Sequence, residues 1–222
     1  MDSSNNQVLS VEDIPFKEGM FIILSSKRCS GKSKMVINIV KHLLDLFEYS
    51  AIILFSETSD LNDDYSFIDK SLIFKTSQLE EKIKKIMDIQ LKNKKMNKKV
   101  NLLLILDDVH LTEKSKELSN VSSLGRHYNI TTLMSIQFNK HLCNNIIKNN
   151  LDMIFISDLG DVCLKSIYES IHINMSYKEF KNYVNENNHS FQFIMYNSRI
   201  NEKNKKLSIV KARLFNNLKL QK

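Results

Sequence analysis

The sequence predicts an α/β domain: a central, mainly parallel sheet flanked by helices, with a C-terminal β-hairpin. Three observations predict it. Short runs rich in apolar and β-branched residues recur at 21–24, 51–55, 102–106, 131–136 and 153–156, the pattern of strands buried on both faces. Segments with apolar residues at helical spacing separate most of them, so strands and helices alternate as a parallel sheet requires. The pattern changes near the end, where runs at 191–196 and 207–214 flank a basic loop at 201–206, as in a hairpin.

Residues 1–19 are a polar lead-in with an extended piece over 8–15. After the strand at 21–24, Met35, Val36, Ile39, Val40, Leu43, Leu44 and Phe47 form the apolar stripe of a helix. The second strand, 51–55, leads through a loop at 60–69 to a short additional strand at 71–75. Leu79, Ile83, Ile86, Met87 and Gln90 share one face of a helix reaching about Lys95. Lys92, Lys94, Lys95, Lys98 and Lys99 then make a basic turn ahead of the third strand, 102–106. Helices over 113–128 and 140–149 flank the fourth strand, 131–136, and the fifth follows at 153–156. Two more helices, 162–172 and 177–187, precede the hairpin. No repeat and no linker rich in proline, glycine or serine interrupts the chain, so 1–222 reads as a single domain, with 158–222 packed on its core.

Composition excludes several classes of function. At 222 residues, with 42% hydrophobic and 26% charged residues, the chain suits a well-buried globular domain. No apolar run approaches the roughly 18 residues of a membrane span. Its first residues, Met-Asp-Ser-Ser-Asn-Asn-Gln, have neither the basic nor the apolar part of a signal peptide. Cys29, Cys143 and Cys163 are an odd set without metal spacing, which suits a reducing, intracellular compartment. The net charge of +7 fits a polyanionic partner, and equally a lysine-rich composition with no specific ligand. Arginine is confined to Arg28, Arg126, Arg199 and Arg213, so each one stands out.

Met20-Phe-Ile-Ile-Leu-Ser-Ser-Lys-Arg-Cys-Ser-Gly-Lys-Ser33 carries the strongest chemical signal. An apolar strand enters a Ser/Gly turn and a helix follows at once, which is the context of a P-loop. Backbone N–H groups of such a loop wrap phosphate, a lysine neutralises charge, and a hydroxyl reaches Mg²⁺. The candidate phosphate-binding residues are therefore Ser26, Lys27, Arg28, Cys29, Ser30, Gly31, Lys32, Ser33 and Lys34. Two departures mark the loop: Ser26 stands where the motif has its first glycine, and Arg28-Cys29 occupies a stretch where small residues are usual. The third strand runs into Asp107-Asp108, the arrangement of a Walker B motif. There Asp107, with Ser33, would hold Mg²⁺, and Asp108 would polarise the attacking water. The intervening strand at 51–55 predicts that the fourth strand lies between these two motifs in the sheet. Its tip, Gln137, then faces the γ-phosphate as a sensor, accepting from water while donating to a phosphate oxygen.

The segment from Gly125-Arg126-His127-Tyr128 to Gln137 resembles the sensor region of the poxvirus-type genome-packaging ATPases. These proteins of large DNA viruses, with relatives in virophages and Polinton-type elements, belong to the FtsK–HerA superfamily of P-loop NTPases. Asp63-Asp64-Tyr65-Ser66-Phe67-Ile68, the helix ending near Gln90, Asp107-Asp108 and Leu164-Lys165-Ser166-Ile167-Tyr168-Glu169 resemble that family in the same order, over roughly residues 8–213. The resemblance implies an Mg²⁺-dependent ATPase that drives double-stranded DNA, without sequence preference, into a preformed capsid. It also implies a homo-oligomeric ring, a hexamer, in which Arg126 serves a neighbour's nucleotide as a trans arginine finger. Arg126 lies eighteen residues after Asp108 and eleven before Gln137, which suits that role; a surface arginine capping a helix end is the plainer alternative. Capsid portal or vertex proteins would be partners, and the host cytoplasm or viral factory, or the virion itself, the location. The catalytic set expected is Lys32, Asp108, Arg126 and Gln137. Alternatives are a HerA-like translocase of a plasmid or cellular system and a weakly hydrolysing, nucleotide-binding assembly factor. A nucleotide kinase is disfavoured because no arginine cluster is present to form a lid. The lysines at 92–99 and the loop at 201–206 are the candidate DNA contacts.

Overall fold

The computed structural model describes residues 8–59, 64–109, 115–137, 147, 149–202 and 206–214. The strands are β1 (Val8–Ser10), β2 (Phe21–Ser26), β3 (Ala51–Ser56), β4 (Ile73–Phe74), β5 (Leu102–Asp107), β6 (Ile130–Ile136), β7 (Met153–Ser157), β8 (Gln192–Asn197) and β9 (Leu207–Lys211). The described helices are α1 (Lys32–Leu46), α2 (Leu79–Lys95), α3 (Lys116–Leu124), α4 (Asp161–Tyr168) and α5 (Tyr177–Glu186). Most of the predicted helix at 140–149 lies outside the described residues.

All nine described strands join one sheet in the order β1-β9-β8-β7-β2-β6-β5-β3-β4. The pairings are parallel from β7 across to β4, and only β8 runs against its neighbours. β6 therefore sits between β2 and β5, the strands that carry the two candidate motifs, as expected. The reason for the apolar runs is visible in β2, β5 and β6, buried along their whole length. Alternate side chains enter two separate cores. Phe21, Ile23, Leu104 and Leu106 pack under α2, α3, α4 and α5. Ile22, Leu24, Leu103 and Ile105 pack under α1 and the N-terminal segment.

Several boundaries move, each for a local reason. β2 and β5 extend to Ser26 and Asp107, because a strand tip at the sheet's carboxyl edge stays paired although its residue is polar. The helix expected over 113–128 is shorter: Ser115 caps α3 by accepting from the Leu118 N–H at 3.2 Å. Beyond Leu124 the chain tightens into a 3₁₀ turn, Gly125–Tyr128, and stops at Asn129, whose φ of 56° suits an amide residue. The last strand ends at Lys211 rather than 214, because the Asn38 side chain binds both the N–H and the C=O of Arg213 and draws the chain onto α1. The extended piece at 8–15 contains β1, which pairs with β9.

Candidate functional site

The carboxyl edges of β2, β5, β6 and β7 and the N-terminus of α1 meet at one place. Between β2 and α1 the loop turns through Cys29 (φ 60°) and Gly31 (φ 87°), and the Ser30 hydroxyl donates to the Lys27 carbonyl at 2.8 Å. Gly31 is required twice over: its φ is left-handed, and a Cβ there would lie 2.7 Å from Phe191 Cδ1. Ser26, in the first-glycine position, has an ordinary strand conformation and is wholly buried, so the replacement costs no backbone strain. Its hydroxyl makes no hydrogen bond.

Lys32 opens α1 and is buried, a costly position for a cation at the positive end of a helix unless an anion faces it. Asp108 supplies that anion, with Oδ1 3.1 Å from Nζ. It reaches there because its backbone is left-handed (φ 52°), which turns the carboxylate off the tip of β5, and its N–H donates to the Ser135 carbonyl at 3.1 Å. Gln137, one residue beyond β6, donates through Nε2 to Asp108 Oδ2. Its Oε1 accepts from Arg28 Nε at 3.0 Å. One amide orientation satisfies both partners. Lys32, Asp108, Gln137 and Arg28 thus form one polar chain that spans the site.

Asp107 faces inward and is buried, and its Oδ1 accepts from the Ser135 hydroxyl. Lone pairs remain for a cation's water shell, and Ser33 stands in the first turn of α1. Among the described residues no group of three acids, histidines or cysteines could hold a metal unaided. Magnesium sites of this type are completed by substrate phosphates, and the donors present fit that chemistry. Lys34 turns instead toward Asp64, at 3.5 Å.

Other residues at the site carried no motif. Ser135 is one. Asp158, at the tip of β7 with φ 44°, braces the loop's far side: its carbonyl accepts from the Lys27 N–H at 3.3 Å and its carboxylate lies 3.0 Å from Lys27 Nζ. A cavity of about 260 Å³ opens beside the loop, lined by Cys29, Gly31, Asp158, Asn188, His189 and Phe191 among others. The signal for Ser135 and Asp158 was their position at strand tips on the carboxyl edge; nothing in the sequence marks the 188–191 loop.

Arg126 is elsewhere. It lies in the 3₁₀ turn that precedes β6, at the amino edge of the sheet, and a strand of this length puts about 20 Å between it and the tip at Gln137. The side chain is exposed, and no hydrogen bond or ion pair joins it to another described residue. Its backbone is seated by Gly19 (φ 73°), where a Cβ would lie 2.9 Å from Arg126 Cα. The lysine turn at 92–99 shares this edge, with Lys94 Nζ 5.5 Å from the Tyr128 ring. So does the loop after β8, because Asn197 pairs with Met153 at the start of β7; residues 203–205 of that loop lie outside the described residues.

A model of the poxvirus A32 protein family matches residues 10–220. The chain belongs to that family. No curated protein matches it at the sequence level. Among solved structures, it is similar to the genome packaging NTPase B204 of Sulfolobus turreted icosahedral virus 2, solved with ATPγS: 16% identity, TM-score 0.62, covering 90% of this chain and 100% of that one. The DNA-packaging ATPase B204 of Sulfolobus turreted icosahedral virus is similar at 17% identity and TM-score 0.60, over 90% of this chain and 100% of that one. EssC (ATPases 2 and 3) of Geobacillus thermodenitrificans is similar at 10% identity and TM-score 0.62, with 90% of this chain covering 41% of that one. At such identities the likeness establishes a shared fold: this A32-family chain has a sheet and helices arranged as in those structures. Among its described residues no helix is long and apolar enough to cross a membrane.

Proposed function

We propose that this A32-family chain is an ATP-driven motor that moves double-stranded viral DNA into a preformed capsid, acting as a single ATPase domain repeated around a ring. The observation that carries the reading is the division of its parts. Lys32, Asp107, Asp108 and Gln137 converge at one edge of the sheet, while Arg126 is exposed at the opposite edge. Arg126 cannot reach its own P-loop, so a neighbouring subunit's site is the one it can serve. Family membership favours the viral motor over a plasmid or cellular translocase.

ATP would lie with its phosphates along residues 26–34 and its nucleoside toward the cavity at Asp158 and Phe191. Asp107 and Ser33 hold Mg²⁺, which neutralises phosphate charge when bound. Lys32 releases Asp108 and takes the phosphate. Asp108 then positions water for attack on the γ-phosphorus and accepts its proton as the β,γ-bridging P–O bond breaks, giving ADP and phosphate. Gln137 senses the γ-phosphate, and Arg126 of the next subunit neutralises the charge on the transferring group, an effect worth about 10³–10⁵ in rate. Lysines along the amino edge contact DNA through phosphates, which gives affinity without base preference. The chain acts inside the host cell, where capsids assemble, and meets the capsid at its portal or vertex.

Hydrolysis measured against protein concentration, with and without long duplex DNA, tests the reading. A steep rise with concentration and stimulation by DNA are expected. Activity independent of concentration and indifferent to DNA would overturn the ring motor.

A further inference from the structure

The turn after β3 carries a buried polar group that the proposed mechanism leaves unused. Tyr65 is 2% exposed and sits in the core on the α1 face, with Leu54, Ile68, Leu103 and Ile105. Its ring packs near Phe67, centroids 6.4 Å apart. Its hydroxyl is fully buried and has no hydrogen-bond partner within bonding distance. Phenylalanine would fill the same space without burying a polar atom, so the core alone gives no reason for the oxygen. The oxygen's surroundings give one. Tyr65 packs against Leu103 and Ile105 of β5, and alternation along that strand puts Asp107, two residues beyond Ile105, on the same face. A phenol keeps its proton at neutral pH, so the group is a donor.

Asp107 needs such a donor. One hydroxyl, from Ser135, already bonds its Oδ1. A single bond leaves the carboxylate free to pivot about it, and a carboxylate that serves a cation through a water shell must present a fixed edge. We infer that Tyr65 is a positioning residue for the metal-holding carboxylate: its hydroxyl donates to Asp107 when Mg²⁺ and ATP are bound, and with Ser135 fixes the orientation of that group. The inference rests on the ATPase reading and adds to it a link between the segment after β3 and the metal site.

The test is equilibrium binding of a fluorescent, non-hydrolysable ATP analogue to the full chain, first in EDTA and then against increasing Mg²⁺. Tyr65→Phe is expected to bind the analogue in EDTA as the wild type does. Its half-saturating Mg²⁺ concentration should rise by about 10–100-fold, the usual cost of losing an outer partner of a metal ligand. Ser135→Ala should move in the same direction. Tyr65→Phe with the wild-type Mg²⁺ requirement would overturn the inference. So would a loss of analogue already present in EDTA, or a failure to fold, either of which would assign the hydroxyl to the core. A wild-type protein whose analogue binding ignores Mg²⁺ would instead contradict the ATPase reading itself, and this inference with it.

Discussion

Lys32 and Asp108 form an ion pair of 3.1 Å across the gap between the N-terminus of α1 and the tip of β5. In the proposed mechanism a phosphate oxygen takes the place beside Lys32 that this carboxylate holds. On that proposal nucleotide binding breaks this pair and turns Asp108 to the attacking water.

Asp108→Asn consequently separates binding from chemistry. The neutral amide competes more weakly for Lys32, so affinity for a non-hydrolysable ATP analogue should hold or improve. Turnover should fall by about 10²–10⁴, the usual contribution of a positioned base. Calorimetric titration beside a phosphate-release assay checks both halves; parallel losses would contradict the assignment.

Gly19→Ala should damage catalysis from the far edge of the sheet. The new Cβ would meet the Arg126 Cα at 2.9 Å, on a residue with φ of 73°. A loss of about 1–3 kcal/mol in stability is expected from the strained backbone. DNA-stimulated hydrolysis should fall as in Arg126→Ala, with analogue binding unchanged. Thermal unfolding and the two activity assays decide it.

Gly31→Ala should remove nucleotide binding. Its Cβ would lie 2.7 Å from Phe191 Cδ1, and φ is 87°. Adding Phe191→Ala relieves the collision but not the left-handed strain, so the double variant should recover only part of the roughly 1–3 kcal/mol lost. Denaturant unfolding of both variants measures the two parts.

Tyr65→Phe should not destabilise the chain. It deletes a buried hydroxyl without a partner, so unfolding free energy should be unchanged or higher by about 1 kcal/mol. A marked loss would mean that the hydroxyl is bonded within the core.

Much of this was legible in the sequence, for physical reasons. Strands such as Leu102–Asp107 are buried on both faces, so their apolar runs announce them. Lys32, Asp107, Asp108 and Gln137, the residues of the proposed site, stand out by motif spacing, and the fold brings them to one edge of the sheet. What could not be read is carried by single residues at strand tips and in turns. Asp158 and Ser135 gain their roles from strands adjacent in the sheet but distant in the chain. β1 has three residues and is a strand because β9 lies beside it. Tyr65 looked like one aromatic of a family motif, and only the fold shows its oxygen buried without a partner on the face of β5 that Asp107 shares.

The most direct test of the central claim is complementation between subunits. Lys32→Ala lacks the phosphate-binding lysine but keeps the finger; Arg126→Ala has the reverse defect. Each alone should hydrolyse ATP at a small fraction of the wild-type rate. Mixed with duplex DNA present, they should regain activity, because an intact site forms wherever Arg126 of one variant meets Lys32 of the other. A mixture no more active than its two components would show that Arg126 does not complete a neighbour's site.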